Sequence, residues 1–336
     1  MSGRAFVGLS PTNFRTLAFD REERRREVWP GEVDFLDWTT GVTRAQAMAR
    51  LVRDAGRYDA IVVDGSVGLK AGYLDVMAAG AIGKRRRGPV VLIADATWKR
   101  GKSALDRTAM QAGIRLVDAP RVHYCVLSHE EVRQFPRTWG VDPGKVHFTP
   151  WPHTLAPHEL EATREGGIFA GGDSMRDYGP LVEIAGDIDA EITIATRLPL
   201  SASSTTPNLR VGPLPHETFV EELRRASIVV VPMVQTQERG AGQTTYVNAM
   251  ALGKLVVVTD TTGARDYIED GVTGSIVPVG DADALRNVLR WATDPTNRGE
   301  TGAIAERARG VALDRFSPDQ YVINLLSVAR EALGRG

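Results

Sequence analysis

Short apolar runs alternate along the chain with stretches in which apolar residues recur at helical spacing. The runs at 60–64, 89–95 and 125–128 are rich in valine, isoleucine and leucine and are bounded by polar residues. Near-continuous apolar strands of this kind are typical of a parallel sheet that is covered on both faces. The segments between the strands are predicted to form helices over 44–55, 69–83, 103–112 and 129–139. In the first of these, the apolar residues share one face and arginines lie opposite.

A proline-rich connector separates this half from a second alternation. Three prolines fall between positions 150 and 157, where neither a helix nor a central strand can continue. After it, strands are predicted over 167–170, 191–195, 228–232, 255–259 and 275–277. Helices are predicted over 178–185, 216–226, 243–252, 264–269, 281–293 and 317–333. Two such series predict an α/β fold class with two Rossmann-like doubly wound domains that face a cleft, the natural ligand site.

Size and composition agree with two ordinary globular domains. With 336 residues the chain exceeds the usual limit of one hydrophobic core, so we assign 1–152 and 153–316 to two domains and 317–336 to a terminal helix. The chain has 43% hydrophobic residues, 25% charged residues and a formal charge of −1. This balance gives no general attraction to nucleic acid or to anionic membranes, and we expect no nucleic-acid partner.

Other composition features narrow the chemistry. The lone cysteine, Cys125, excludes an internal disulfide and a cysteine-based zinc finger. Its place in an apolar run predicts a buried, inert thiol. The histidines show no spacing that is typical of metal ligands, so we expect no metal and no other cofactor.

The chain shows no sequence signal for export or membrane insertion. Its first residues lack an apolar stretch of the secretory type, and no run approaches the ~18 apolar residues of a membrane span. We therefore expect it in the cytoplasm. The basic turn at 84–87 would suit an anionic membrane surface. A four-residue basic turn is more often simply solvated, so peripheral membrane contact is not favoured.

The most informative stretch is a buried strand followed by a polar loop with glycines and then a helix. The strand covers 228–232, the loop covers 235–242, and the helix starts near Gln243. Glycines just before a helix let the backbone approach a ligand and leave free amides pointing outward, which suits a diphosphate. On these glycines alone, an ordinary strand-to-helix turn is the favoured interpretation. The residues assigned to a ligand here are Glu238, Arg239, Gly240, Ala241, Gly242, Gln243 and Thr244.

The sequence after this loop changes that assessment. Asn-Ala-Met-Ala-Leu-Gly-Lys at 248–254, Glu-Asp-Gly-Val-Thr-Gly at 269–274 and Pro-Val-Gly-Asp at 278–281 follow in order. Over about 165–295 the chain resembles the retaining glycosyltransferases of the group-one (family 4-like) type, which have the GT-B fold. The resemblance implies an enzyme that moves a sugar from a nucleoside diphosphate sugar, with a UDP-sugar favoured, to an acceptor hydroxyl with retention. It also implies that the helix at 317–333 packs back on the first domain.

The chain departs from that family at its carboxylates. The family carries two glutamates eight positions apart, and the second holds the ribose hydroxyls of the donor. Here the second position is Asn248 and the first is Gly240, so Glu238 fills the first role only if the loop is offset by two residues. Asn248 can still bond a hydroxyl, although without charge assistance. We assign both Asn248 and Glu238 to donor binding and Glu238 also to catalysis; a solvated loop carboxylate is the alternative for Glu238.

A second loop carries an expected cation. The family places an arginine and a lysine after the first strand of this domain, where both grip the diphosphate. Arg176 matches the lysine position if one residue is deleted, whereas the arginine position holds Gly172 or Asp173. Arg176 is therefore assigned to donor binding and catalysis, with a surface arginine as the alternative. The other residues assigned here are Gly171, Gly172 and, as a substitute for the missing cation, Arg197 or Arg239.

The first half offers a weaker candidate after the run at 89–95. Asp95 ends this run, and Lys99 and Arg100 follow within five residues. Polar groups at the carboxyl end of a parallel strand lie on its ligand side. We expect Asp95 to orient the acceptor or the sugar as a catalytic residue, and Lys99 or Arg100 to meet phosphate on the acceptor side. A capped helix start is the alternative.

Two other functions stay open beside glycosyl transfer. A nucleotide-sugar 2-epimerase on the same fold would act on the donor alone. A non-catalytic nucleotide-sugar-binding partner protein is favoured by the departure at Asn248. In the preferred interpretation the partners are a nucleotide-sugar donor and an unidentified acceptor, since lipid, polysaccharide, small molecule and protein all agree with the sequence.

Overall fold

The computed structural model describes residues 8–9, 34–35, 43–65, 73–98, 100–101, 103–155, 157–161, 163, 165–200, 206–234 and 239–334. The chain divides into two compact units. One comprises Met1–Pro150 together with Pro318–Gly336, and the other comprises Trp151–Ser317. Each unit is built on its own parallel sheet of six strands, which confirms the predicted α/β class with two Rossmann-like domains.

The sheet of the first unit is formed by short apolar strands. These are β1 (Gly8–Leu9), β2 (Asp34–Phe35), β3 (Ala60–Asp64), β4 (Val90–Ala94), β5 (Val122–Val126) and β6 (Val146–Phe148). They lie in the order β2-β1-β3-β4-β5-β6. Strands β4 and β5 are buried along their whole length, as a sheet that is covered on both faces requires.

Helices connect these strands. They are α1 (Arg44–Asp54), α2 (Tyr73–Gly83), α3 (Ala104–Val117) and α4 (His129–Trp139). A capping box starts α1 at Thr43 and another starts α3 at Ser103, and each satisfies free amides of the first turn. Helix α3 extends to Val117 rather than ending at 112, because Ile114 and Val117 continue its buried face.

The sheet of the second unit reverses its strand order in the middle. Its strands are β7 (Ile168–Gly171), β8 (Ile192–Ala195), β9 (Leu209–Gly212), β10 (Ile228–Val231), β11 (Leu255–Thr259) and β12 (Ser275–Val277). The order is β12-β11-β10-β7-β8-β9, so the reversal falls between β7 and β10. In open parallel sheets, ligands bind outside the carboxyl ends of the strands at such a reversal.

The helices of the second unit cover both faces of this sheet region. They are α5 (Gly179–Ile184), α6 (His216–Arg225), α7 (Gln243–Ala251), α8 (Ala264–Tyr267), α9 (Ala282–Thr293) and α10 (Arg298–Arg315). Helix α7 is almost wholly buried. Helix α10, which the sequence pattern does not predict, packs against α7 and β11.

The last helix belongs to the first unit. Helix α11 (Pro318–Gly334) buries Tyr321, Val322 and Leu325 and packs against β4. Its proline occupies the first helical position, where the missing amide costs nothing. Among the described helices, none is both long and apolar enough to cross a bilayer.

Candidate functional site

Two loops meet where the strand order of the second unit reverses. One follows β7 and the other follows β10. An antiparallel bridge joins Arg176 of the first loop to Met233 of the second. Beside it, the amide of Val234 donates to the carbonyl of Met175 at 3.0 Å. These backbone contacts fix the two loops against each other at the carboxyl edge of the sheet.

The backbone of these loops adopts left-handed conformations. Gly172 has a φ of 111° and Gly242 a φ of 91°, values that favour glycine. Met175 takes a φ of 56° with a side chain, which is uncommon and marks strain that the surrounding bonds must hold. The hydroxyl of Tyr178 donates to the carbonyl of Gly172 at 2.7 Å and supplies one of those bonds. The loop after β7 is therefore held in a conformation that chains rarely adopt.

Arg176 is buried between the two loops, with 9% of its surface exposed. Its Nε donates to the carbonyl of Gly171 at 3.2 Å and its Nη1 to that of Ser174 at 3.0 Å. Its Nη2 donates to Oγ1 of Thr245 at 3.0 Å. No carboxylate of the described residues lies within ion-pair distance of the guanidinium. Burial lowers the pKa of Arg176, and a buried cation among neutral partners favours an anionic ligand.

The N-terminus of α7 lies beside this guanidinium. Its N-cap residue, Gly242, provides no side-chain cap. The first bonds back to the carbonyl of Gly242 come from the amides of Thr245 and Tyr246, so the amides that precede them are available to a ligand. A Cβ at Gly242 would lie 3.5 Å from Nη1 of Arg176. Helix amides and a buried cation thus converge on one point, as an anion site requires.

Gln243 adds a buried polar group to the same turn. Only 4% of it is exposed, and its Nε2 finds no hydrogen-bond acceptor within the described part of the chain. A Cβ at position 240 would lie so close to this Nε2 that the flexible side chain of Gln243 would have to shift. Buried donors normally have partners, so the free amide of Gln243 also indicates a ligand at this turn.

Arg239 supplies a second cation near Arg176. Its Nη2 lies 3.3 Å from Oγ of Ser174, the residue whose carbonyl accepts from Arg176. Its Nε is buried and has no acceptor among the residues that the structure describes. Ser174 therefore holds both arginines at the loop, which sequence reasoning did not foresee because a lone serine carries no recognisable signal.

Arg197 is engaged elsewhere. Its side chain is 80% exposed, and its Nε pairs with Oδ2 of Asp173 at 2.6 Å. The amide of Arg197 and the hydroxyl of Thr196 both donate to Oδ1 of that carboxylate at 2.8 Å. These bonds lower the pKa of Asp173 to about 2. The structure thus favours Arg239 over Arg197 as the second cation, and a role for Arg197 in ligand binding stays a prediction.

Asn248 contacts another part of its own unit. Its Oδ1 accepts from the amide of Thr154 at 2.7 Å, and its Nδ2 donates to Oγ1 of Thr154 at 2.9 Å. The predicted bond from Asn248 to a donor ribose would have to form beside these contacts, and it stays a prediction. Within the first turn of α7, Thr244 points outward and is exposed. Its neighbour Thr245, which the sequence did not single out, contacts Arg176 instead.

The first unit holds Asp95 at the carboxyl end of β4. Asp95 is buried and has a φ of 52°, an uncommon value for a residue with a side chain. The following loop is anchored by the indole of Trp98, whose Nε1 donates to the carbonyl of Gly65 at 2.9 Å. Arg100 is exposed. Backbone strain at a strand end agrees with a functional position, and the acceptor-side roles stay predictions.

Four further assigned residues complete the set. Glu238 and Lys99 lie outside the described residues. Ala241 is buried in the loop before α7. Gly171 lies so close to Phe219 that a Cβ would be 2.5 Å from its ring, which accounts for the glycine by packing.

Clusters of metal-binding side chains are absent from the part of the chain that is described. No three His, Cys, Asp or Glu side chains come together there in a way that could hold an ion. Two Asp-x-Asp sequences occur, at 187–189 and 281–283. Asp187 pairs with Arg286 at 2.8 Å, and Asp281 accepts from the amide of Ala284 as the N-cap of α9. That the protein works without a metal stays a prediction.

Two other features include none of the residues assigned to a ligand. Cys125 is fully buried, and burial raises the pKa of its thiol to about 12, as expected for an inert residue. A cavity of about 400 Å³ opens at the amino edge of the second sheet, the edge opposite the two loops. Its lining, which includes Gly166, Asp294 and Thr301, contains none of the residues assigned to a ligand.

Solved structures with a similar fold extend over nearly the whole chain. Sucrose-phosphate synthase from Thermosynechococcus elongatus is 15% identical, with a TM-score of 0.60 over 92% of this chain and 85% of that one. Anabaena HepE in complex with UDP and glucose is 16% identical, with a TM-score of 0.60 over 96% and 99% of the two chains. A glycosyltransferase from Rickettsia africae is 12% identical, with a TM-score of 0.64 over 99% and 100%. At these identities the likeness establishes the GT-B fold.

Sequence comparison adds a domain match in the second unit. A search of curated proteins found no significant match. The model of the family described as glycosyl transferases group 1 matches residues 183–294. That range contains β10, α7 and the loop with Arg239 and Gln243, although it begins after Arg176. The second unit therefore carries a group 1 glycosyltransferase domain, within a chain that has the GT-B fold.

Proposed function

We propose that the enzyme transfers a sugar from a nucleoside diphosphate sugar, with a UDP-sugar favoured, to an acceptor hydroxyl with retention. The donor diphosphate binds between Arg176, Arg239 and the N-terminus of α7. One observation carries this placement: Arg176 is a buried cation whose described partners are all neutral, and it lies beside free helix amides. A diphosphate would supply the missing negative charge.

The solved relatives support the choice of donor. The Anabaena protein HepE was crystallised with UDP and also with UDP-glucose. It shares the fold over nearly the whole length of both chains. We extend its ligand to this enzyme because the cations and the glycines lie at the strand reversal of the second sheet, where such folds bind ligands.

In the proposed reaction the bond between the anomeric carbon and the diphosphate oxygen breaks. The acceptor oxygen bonds to the same carbon from the same face, as the resemblance to retaining enzymes implies. The electron pair leaves with the diphosphate, and the acceptor proton passes to a diphosphate oxygen. Arg176, Arg239 and the amides of α7 stabilise the charge that develops on the leaving group. We assign Asp95 to the acceptor side and Glu238 to the donor, with no metal ion.

The donor assignment is tested by ligand binding. UDP, GDP, ADP and dTDP are added in turn at equal concentration while thermal unfolding is followed. A ligand that binds the native state at 100 times its Kd stabilises it by about 2.7 kcal/mol. We expect the largest rise in Tm with UDP. If none of these nucleotides raises the Tm, the proposed site is wrong.

Turnover separates transfer from the two alternatives. A transferase consumes UDP-sugar faster when its acceptor is supplied, and it releases UDP. A 2-epimerase converts the donor to another nucleotide sugar without an acceptor and releases no UDP. A non-catalytic partner protein binds the nucleotide and consumes none. The hydrogen bonds between Asn248 and Thr154 favour a non-catalytic partner protein only if turnover is seen with no lipid, polysaccharide, small-molecule or protein acceptor.

A further inference from the structure

The middle of α7 is tied to the segment Trp151–Leu155, called here the connector. The side-chain amide of Asn248 makes two hydrogen bonds to Thr154. Its Oδ1 accepts from the backbone amide of Thr154 at 2.7 Å, and its Nδ2 donates to Oγ1 of Thr154 at 2.9 Å. Both residues are buried, with 8% of each exposed. Two hydrogen bonds to one residue fix both the distance and the direction of the contact.

A second side chain of α7 reaches the connector through an aromatic contact. The ring of Tyr246 stands edge-on to that of Tyr267, with 5.4 Å between the centroids. The hydroxyl of Tyr267 accepts from the amide of Trp151 at 2.9 Å. The ring centroid of Tyr267 also lies 4.9 Å from the ring centroid of Phe316. The helix is therefore held to the connector at one polar and one aromatic point.

The polar contact controls the rotation of α7. Thr245 and Asn248 are three residues apart on this helix and so lie on one side of it. The hydroxyl of Thr245 accepts a hydrogen bond from the guanidinium of Arg176, while the side chain of Asn248 accepts one from the amide of Thr154. A turn of the helix about its axis would break both contacts together. The bond to Thr154 thus helps to set where the free amides of the first turn and Gln243 lie relative to Arg176.

We propose that Asn248 is a positioning residue for the anion site. It holds Thr154 and thereby sets the rotation of α7, and it does not itself contact the nucleotide. The inference rests on the proposed function, because UDP affinity is the quantity that reports the placement. It differs from the assignment of Asn248 to the donor ribose. That assignment predicts that loss of the side-chain amide lowers nucleotide affinity because a bond to a ribose hydroxyl is lost.

The two roles are separated by calorimetric titration with UDP and with 2′,3′-dideoxy-UDP, which lacks both ribose hydroxyls. Asn248→Leu keeps the volume and removes both bonds, and Thr154→Val removes only the hydroxyl bond. Loss of neutral hydrogen bonds on this scale corresponds to about two- to tenfold in affinity. We expect Asn248→Leu to weaken both nucleotides by the same factor, and Thr154→Val to weaken both by a smaller factor. The double variant should bind no more weakly than Asn248→Leu alone, because the two residues act through one contact.

Thr154→Ser is the conservative control. It keeps the amide and the hydroxyl that Asn248 binds, so UDP affinity should return to the wild-type value. If Asn248→Leu does not fold, the Thr154→Val and Thr154→Ser pair gives the same comparison without a change in α7. Melting temperatures recorded alongside show whether a loss of affinity merely follows a loss of stability.

Three results would overturn the inference. If Asn248→Leu weakens UDP but not 2′,3′-dideoxy-UDP, and Thr154→Val is neutral, Asn248 is a ribose ligand. If neither variant changes affinity for either nucleotide, the contact has only a structural role. If the wild-type protein itself binds no UDP, the proposed function fails and the inference falls with it, which the wild-type titration reveals before any variant is made.

Discussion

The hydrogen-bond partners of Arg176 are all neutral, so a substitution at this single residue is diagnostic. Arg176→Gln should weaken UDP binding by about ten- to a hundredfold, the scale of hydrogen bonds to a charged group. The melting temperature of the ligand-free protein should stay the same or rise, because the change removes a buried charge that has no carboxylate partner among the described residues. Calorimetry measures the first effect and thermal unfolding the second.

Arg197→Gln is the matched comparison at the residue scale. Its guanidinium is exposed and held by Asp173, and exposed pairs contribute little, about 0–1 kcal/mol. UDP affinity should therefore change by about twofold or less. An equal loss of affinity in both variants would mean that the diphosphate lies against Asp173 and Arg197 and that the site between Arg176 and α7 is misplaced.

Residues that belong to a motif can be predicted from the sequence. Residues that contact the site only because of the rotation of a helix about its axis cannot. Arg176 and Gly242 are recognisable from their places after a strand and before a helix. Thr245 is not, because the choice between it and Thr244 depends on the phase of α7. Ser174 is missed for a related reason, since its role arises only when two loops that are distant in sequence meet.

At the scale of elements, the start of α7 depends on a glycine. Gly242 has a φ of 91°, and a Cβ there would lie 3.1 Å from Cγ1 of Val231 and 3.2 Å from Sδ of Met233. Gly242→Ala should lower the free energy of unfolding by about 1–2 kcal/mol, the cost of a left-handed conformation with a side chain. UDP affinity should fall as well, because the free amides move. Urea unfolding and calorimetry measure the two effects.

Gly310→Ala is the control of opposite sign. Gly310 is exposed within α10, and nothing lies within 4 Å of the position of a Cβ. Alanine should therefore raise the free energy of unfolding by about 0.5–1 kcal/mol, since glycine is the poorer helix former. UDP affinity should not change. A stabilising effect of Gly242→Ala in the same assay would contradict the backbone strain argued for α7.

The elements that the sequence predicts and those it misses differ in hydrophobic contrast. Strands such as β10 and β11 are buried along their whole length, so they appear as unbroken apolar runs. Strand β9 lies at the edge of its sheet with half-buried and exposed residues, and no run marks it. Helix α10 buries mostly alanines, among them Ala305, Ala308 and Ala312, which provide little contrast with its polar face.

At the scale of the whole molecule, the two sheets could be predicted, whereas the functional evidence comes mainly from one of them. The strand–helix alternation recurs in both halves and predicts both parallel sheets. An anion site can be predicted from the sequence of the second unit, because anion binding needs glycines, cations and a helix start in a fixed order. The sequence of the first unit contains no motif of comparable specificity. There the evidence reduces to Asp95, whose strained backbone only the structure reveals.

His153 gives the second unit a pH-dependent stability. It is 5% exposed, its amide donates to the carbonyl of Phe316 at 2.8 Å, and burial lowers its pKa to about 4, against a hydrogen bond to Leu155 that opposes the shift. An unfolded histidine titrates near 6.5. Between these values the unfolded state binds more protons than the native state, so stability is full above about pH 6.5 and falls as the pH drops toward 4.

The expected loss from His153 across this window is about 3 kcal/mol, which follows from the difference between the two pKa values. Urea unfolding at pH 7, 5.5 and 4.5 measures it in the wild type and in His153→Gln, whose neutral amide does not titrate. The variant should lose much less stability between pH 7 and 4.5, whatever its stability at pH 7. Asp173 does not confuse the comparison, because its lowered pKa of about 2 places its contribution at more acid pH. Parallel pH profiles for the two proteins would mean that His153 is hydrated in the native state and that the connector is not packed as described.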